Sequence, residues 1–468
     1  MYEAVMRVIK QLKDSGFTAY IAGGAVRDLI LGIPPKDFDV ATDAKPEEIE
    51  KIFPNTRPVG KDFGVILVVE NNKPIEVATF RSDANYSDSR RPDHVSWSSP
   101  KEDALRRDFT INALFLDLDL EKDLESRIEI QEISQEEDHL KATTNIGILL
   151  DYIGGLNDIE KKYLKFVGEA GERIAEDHLR IIRAIRFKAE LNLHYFEDTF
   201  LILRDHATDI KTVSLERIAA ELDKMFMSAN RATAIKEMDD LGIFKILIPE
   251  IEPLKEIDQS KKFFQAGNIF DHTKLVVSHL PEKVDVDIVW ASLLHDIGKP
   301  KTLSMGYDRK KRWTEKFHNH NVVGAEMAKV ILKRLKFPND RIERICWLVD
   351  NHQMPPQILK MREGRRVRWL LDPRLPDLLA LHKADAQGKE KKVYLGWHDE
   401  VKKLMEEELL KPPPPPRLLD GYEIMEHFKI QPGPEIGRLL EIVEEAQWDK
   451  TIKTKEEAFK LVEANLKK

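Results

Sequence analysis

Apolar and polar positions divide the chain into a mixed front third and a long helical remainder. Up to about residue 145, short apolar runs alternate with polar ones. Tyr20-Ile21-Ala22, Val65-Ile66-Leu67-Val68-Val69, Ile75-Glu76-Val77-Ala78-Thr79-Phe80 and Asn112-Ala113-Leu114-Phe115-Leu116 have strand length and strand composition. Met1-Tyr2-Glu3-Ala4-Val5-Met6-Arg7 opens an amphipathic helix, and Ala25 to Leu31 reads as another. Residues 120–147 are polar and acidic with weak periodicity, which predicts an insertion or a flexible arm. From about 165 to 400, apolar residues recur at three- and four-residue spacing, the pattern of helices. The proline run 412–416 cannot be helical and predicts an extended spacer before a small helical tail. No internal repeat is evident.

Composition narrows this picture. With 468 residues, 42% hydrophobic and 33% charged, the chain has the profile of a soluble globular protein of about three domains. No apolar run reaches the eighteen residues that would suggest a membrane span, and the N-terminus does not read as a signal peptide. Cys346 is the single cysteine, so an internal disulfide and a multi-cysteine zinc site are excluded. A cytoplasmic location is expected. The net charge of −8 argues against a wholly basic nucleic-acid binder, although Arg362-Glu363-Gly364-Arg365-Arg366-Val367-Arg368 could form a local basic surface.

Two constellations carry candidate chemistry. The first begins at Gly23-Gly24-Ala25-Val26-Arg27-Asp28, with Asp37-Phe38-Asp39 thirteen residues downstream of the glycines. Carboxylates at i and i+2 of a strand share a face and suit Mg²⁺, which binds through one or two carboxylates plus substrate phosphates. The glycine pair lets backbone approach a phosphate at a helix N-terminus. Glu76, in an alternating strand, is a candidate third carboxylate. Arg106-Arg107-Asp108 and Asn112 offer bidentate donors for phosphate and polar groups for ribose hydroxyls. Asp151 with Gly154-Gly155 reads as a hinge, and Glu176 to Phe187 as a helix placing Asp177 with Arg180, and Arg183 with Arg186, on shared faces. The second constellation is His272, His295-Asp296, His320, His352 and Asp385, with Gly298 expected to cap the helix ending in His295-Asp296. Imidazoles and carboxylates from several helices suit a pair of divalent transition metals. His279, His318 and His382 are read as outside that set.

In this order, the first set of motifs resembles the tRNA nucleotidyltransferase and poly(A) polymerase family in its bacterial and eukaryotic branch. Leu215-Glu216-Arg217-Ile218 with Glu221-Leu222 is similar to the family's neck helix. The second set resembles the HD superfamily of metal-dependent phosphohydrolases. There the resemblance assigns His272, His295, Asp296 and Asp385 to a first metal, with His320 and His352 completing a second. The implied fold is α+β. A nucleotidyltransferase head with a mixed sheet (1–150) would precede an all-α neck (151–262), an HD domain (263–405) and a spacer with a helical tRNA-binding tail (406–468).

The implied activity is Mg²⁺-dependent, template-free addition or repair of the tRNA 3′-CCA end from CTP and ATP. The HD domain would process phosphate ends. Asp37, Asp39 and Glu76 would be catalytic. Gly23, Gly24, Arg27, Arg106, Arg107, Asp108, Asn112, Asp151, Asp177, Arg180, Arg183 and Arg186 would contact nucleotide. Cytosine and adenine share an amino donor beside a ring-nitrogen acceptor, which an Asp177–Arg180 reader would match, whereas guanine and uracil present the reverse. An A-adding specialist or a poly(A) polymerase is the near alternative, and an RNA-binding HD phosphohydrolase the distant one. The run Arg81 to Asp93 resembles the family's flexible loop and argues against an enzyme adding only CC.

Overall fold

A nine-stranded sheet organises the first half of the computed structural model, which describes residues 1–84, 94–122, 127–258, 267–307, 311, 313–389, 395–412 and 416–466. Its strands are β1 (Ala19–Ala22), β2 (Asp39–Thr42), β3 (Thr56–Gly60), β4 (Val65–Glu70), β5 (Lys73–Thr79), β6 (Leu114–Leu118), β7 (Ile130–Gln135), β8 (Leu140–Thr144) and β9 (Gly147–Asp151). They lie in the order β3-β4-β5-β2-β1-β6-β9-β8-β7. Only β2 and β5 run parallel, so the sheet is mixed. Register places Phe115 opposite Ala22, Ala22 opposite Asp39, and Asp39 opposite Glu76. One row across the sheet therefore joins the Gly-Gly turn to two of the candidate carboxylates. The chain divides into two compact units, Met1–Ile246 and Leu247–Lys468.

Three local expectations are corrected. β2 begins at Asp39, so Asp37 stands just before the strand rather than within it. Residues 110–112 form a short 3₁₀ turn, and β6 starts only at Leu114. The polar stretch 120–147, expected as an insertion or a flexible arm, is not an arm over its described part: β7 and β8 form a hairpin that extends the sheet beyond β9. Every residue of β7 is exposed. No buried face imposed a period on its sequence, and its order comes from ladder hydrogen bonds. Residues 123–126 of this stretch, and 85–93 of the predicted flexible loop, lie outside the described residues.

Asp151 closes β9 and caps the helix Gly155–Glu160. Its carboxylate accepts from the amides of Ile153, Gly154, Gly155 and Leu156 at 2.8–3.1 Å. The turn demands both glycines. Gly154 has φ +86°, and a Cβ on Gly155 would lie 2.2 Å from the Thr110 carbonyl oxygen. Gly155→Ala should therefore destabilise the first unit by about 1–3 kcal/mol through overpacking, read as a lowered thermal midpoint.

Among the described residues, the second unit is helical apart from one hairpin, Leu303–Tyr307 with Trp313–Phe317. The helix Val286–Leu294 is apolar on nearly all sides and lies at its centre, flanked by Ile269–His279, Asn339–Asn351 and Leu375–Lys389. At the C-terminus, helices Gly421–Phe428, Pro434–Trp448 and Lys455–Leu466 enclose Ile424, Leu439, Val443, Ala458 and Val462. Asp420 and Glu423 form a reciprocal capping box at the first of these. Within the Arg-rich segment, Arg368 pairs with Glu441 at 2.7 Å, while Arg362 and Arg365 are exposed. Residues 413–415 of the proline run lie outside the described residues. Among the described residues, no helix is long and apolar enough to cross a membrane.

Candidate active site and candidate metal centre

The first site grows from the β1 turn. Gly23 has φ +70°, and a Cβ there would stand 2.8 Å from an Arg107 guanidinium nitrogen. The left-handed φ is what calls for glycine before the helix Gly24–Leu31, since the Arg107 side chain could swing aside. Arg27, buried on this helix, donates to Asn112 Oδ1 at 2.5 Å and to Asp28 at 2.6 and 2.9 Å. Asn112 in turn donates to Asp108 Oδ1 at 3.1 Å, and Arg183 grips Asp108 Oδ2 at 2.5 and 2.8 Å. The result is one continuous polar chain across three segments. Burial would raise the Asp108 carboxyl, but Arg183 and Asn112 outweigh it and hold the pKa at about 2. Asp108 is thus a fixed anion at neutral pH.

Asp39 behaves oppositely. Burial first, then the charges of Glu76 and Asp37, push its pKa up to about 6, with Arg107 opposing. Glu76 makes no ion pair among the described residues. Crowded carboxylates of this kind fit a hard divalent cation, which would relieve their repulsion.

Arg106 and Arg107 are both anchored to buried Asp103, at 2.5–3.1 Å. Asp103 was not singled out from sequence, although its i,i+3 and i,i+4 spacing to the two arginines was a usable signal.

The helix expected from Glu176 to Phe187 is broken. One helix ends at Glu176, Asp177 is extended (φ −149°, ψ 103°), and a second helix starts at Arg180. Asp177 and Arg180 do not pair with each other. Arg217 donates to Asp177 Oδ2 at 2.7 Å and the Leu179 amide to Oδ1 at 3.1 Å, while Arg180 donates to Glu176 at 2.5 Å. Arg183 and Arg186 pack over the Phe187 ring, and Arg186 pairs with Glu221 at 2.8 Å. Asp151 is the outlier of the candidate set, since four backbone amides already occupy its carboxylate.

The second site lies wholly within the second unit. His272, His295, Asp296, His320, His352 and Asp385 are all buried and converge. They form two ligand-competent triples, His272/His295/Asp385 and Asp296/His320/His352. Asp296 was expected with the first triple. It stands between both, with Oδ2 3.1 Å from His295 Nε2 and Oδ1 3.5 Å from His320 Nε2.

Nδ1 of His295, His320 and His352 faces the carbonyls of Ser292, Phe317 and Val349 at 2.7–2.8 Å. These contacts favour a proton on Nδ1 and leave Nε2 as an inward lone pair, the orientation of a metal ligand. His320 and His352 Nε2 lie only 3.4 Å apart. Burial above all pushes His352 down to about 3 and keeps it neutral. The donor set fits a divalent transition metal pair.

Lys299 donates to Asp296 at 2.6 Å and Lys389 to Asp385 at 2.5 Å, two partners not identified from sequence despite their i+3 and i+4 spacing. Gly298 is not a left-handed cap: its φ is −81°, and a Cβ there would meet the His320 carbonyl at 2.2 Å. It is needed for the close approach of two metal-site segments. His279 is exposed and His382 packs on Trp397, both outside the triples.

Comparison with known proteins bears on both sites. Residues 19–165 match the family model of the poly(A) polymerase head domain, 196–255 that of a probable RNA- and SrmB-binding site of polymerase A, and 266–387 that of the HD domain. The chain is 31% identical to a CCA-adding enzyme of Streptococcus mutans over 445 residues, covering 95% of this chain and 92% of the relative. Its fold is similar to that of the Bacillus stearothermophilus CCA-adding enzyme in complex with CTP, with a TM-score of 0.67, 22% identity, and coverage of 100% and 98% of the two chains. It is also similar to the Thermotoga maritima CCA-adding enzyme complexed with tRNA, with a TM-score of 0.51, 20% identity, and coverage of 98% and 94%.

Proposed function

This chain belongs to the family of CCA-adding enzymes, which are tRNA nucleotidyltransferases, and from that membership we propose how its own residues build the 3′-CCA end of tRNA from CTP and ATP. The head would span 1–150 and the neck 151–262, followed by the HD domain (263–405) and the tail (406–468). The protein would work in the cytoplasm. The observation that carries the assignment of the active site is the row joining Ala22, at the foot of the Gly-Gly turn, to Asp39 and Glu76, with the Asp108 chain beside it.

Asp37, Asp39 and Glu76 would hold Mg²⁺. When bound, the metal supplies neutralisation of the triphosphate and activation of the attacking hydroxyl. Gly23 and Gly24 bring backbone amides close to phosphate, and Arg106 and Arg107, steadied by Asp103, add charge there. The chain Arg27–Asn112–Asp108–Arg183 orients the ribose. The tRNA 3′-oxygen forms a bond to the α-phosphorus while the bond to pyrophosphate breaks.

Base choice falls to Asp177 and Arg180. Each is held by a different neighbour rather than by the other, which leaves acceptor capacity on one and donor capacity on the other for a Watson–Crick edge. Asp177→Ala and Arg180→Ala should each raise UTP and GTP incorporation relative to CTP, since such contacts are worth about 1–3 kcal/mol. Nucleotide competition assays on one tRNA check this. Equal slowing for all four nucleotides without misincorporation would make the pair structural.

The HD unit would hold two divalent transition metals and hydrolyse phosphate ends of RNA. The inward Nε2 atoms of His272, His295, His320 and His352, with Asp296 between the triples, support that reading.

A further inference from the structure

The hairpin Leu303–Tyr307/Trp313–Phe317 has no place in either site, yet it is built directly onto the metal centre. On one side it follows the short helix Lys299–Thr302, whose Lys299 binds Asp296 at 2.6 Å. On the other, the carbonyl of its last residue, Phe317, receives His320 Nδ1 at 2.7 Å, and the Phe317 ring lies 5.4 Å from Lys299 Nζ. From that base it projects into solvent. Register pairs Leu303 with Phe317, Met305 with Glu315, and Tyr307 with Trp313, and opposed residues of an antiparallel pair share a face.

Apart from Glu315, this face is apolar, and it is uncovered. Leu303 is 42% exposed, Met305 51%, Tyr307 64% and Trp313 59%. Tyr307 and Trp313 touch only edge to face, with centroids 4.9 Å apart. A protein rarely leaves a tyrosine and a tryptophan side by side in water without a use for them.

Charge selects the occupant. Lys299 is already paired with Asp296; in sequence, residues 300–316 carry six further cations against Asp308 and Glu315, in a chain whose net charge is −8. Among the described residues, Lys311 and Lys316 have no ion-pair partner. Exposed aromatics among cations are the make-up of a single-strand nucleic-acid platform, where bases stack on rings and phosphates meet lysines. A protein partner or a lipid surface would use the apolar face but would not call for that local excess of positive charge. The aromatic pair stands four residues from the hairpin base, about 13 Å at the strand rise, which is the reach of a few nucleotides.

We propose that Tyr307 and Trp313 form a stacking platform for the unpaired bases of an RNA 3′ end, held beside the HD metal centre. The inference deepens the reading of the HD unit as acting on RNA ends, and it is independent of the nucleotidyltransferase site. The test uses the full chain and a short single-stranded RNA carrying 5-bromouridine near a 3′-phosphate, which the head cannot extend. Ultraviolet crosslinks mapped by mass spectrometry should fall on Tyr307 or Trp313. In anisotropy titrations, the double variant Tyr307→Ala/Trp313→Ala should bind this RNA at least tenfold more weakly. Tyr307→Phe with Trp313→Phe should restore most of the affinity, and Lys311→Gln with Lys316→Gln should flatten its salt dependence.

Crosslinks confined to the first unit, or unchanged affinity in the double alanine variant, would overturn the proposal. So would an affinity that the phenylalanine variant fails to restore while its metal content stays at the parental level. Extension of tRNA with CTP and ATP, run on the same preparations, should be unaffected. It reports separately on the head, so failure of the platform and failure of the proposed nucleotide addition are distinguishable.

Discussion

Asp39→Ala should lower the rate of nucleotide addition by about a thousandfold or more while the protein still folds, with Asp37→Ala close behind. The magnitude follows from removing a metal ligand where charge stabilisation is worth several kcal/mol. The structure adds a second, activity-free expectation. Burial and then the Glu76 and Asp37 charges push the Asp39 pKa up to about 6, above the usual 3.8. Without metal, ionised Asp39 therefore opposes folding, and its penalty is complete above pH 6 and vanishes toward pH 4. Asp39→Asn should unfold at a slightly higher temperature than the parent at pH 7.5 in chelator, a gain absent at pH 4. In the parent, extension at limiting Mg²⁺ should fall as pH drops through about 6, because a protonated Asp39 cannot ligate. Activity within tenfold of the parent in Asp39→Ala would remove these carboxylates from the mechanism.

His295→Ala combined with Asp296→Ala should empty the second site of metal. Asp296 stands between the two triples, so its loss reaches both, and removal of even a supporting partner can cost 10–100-fold in metal affinity. Elemental analysis of the purified variant should show less than a tenth of the parental metal, with loss of any hydrolysis of 2′,3′-cyclic or 3′-phosphate ends. Extension of a tRNA ending in a free hydroxyl should persist, because the residues proposed for extension lie in the other unit. Unchanged metal content would return His295 and Asp296 to buried residues held by hydrogen bonds.

Much of this architecture was legible in the sequence because its signals are local. Gly23-Gly24 fixes a turn, Asp37-Phe38-Asp39 concentrates charge, and His295-Asp296 sits at the end of an apolar helix. What stayed hidden depends on competition or on distance. Glu176 to Arg180 has helical spacing, but the Asp177 carboxylate takes the Leu179 amide and breaks the helix there. The β7–β8 hairpin buries too little to imprint a period. Arg217 lies forty residues from Asp177, and only tertiary structure reveals that it holds the carboxylate. The row of Ala22, Asp39 and Glu76 required a parallel pairing of β2 with β5 that no local pattern announces.

The central claim is that this chain adds C, C and A in order and stops. The direct measurement incubates purified protein with tRNAs ending before the CCA, after C and after CC, with CTP and ATP supplied separately and together, and sequences the 3′ ends. The account predicts C and then CC from CTP alone, a single A on the CC substrate from ATP, and one completed CCA when both are present. Runs of A beyond the first, or A addition without any C addition, would contradict it.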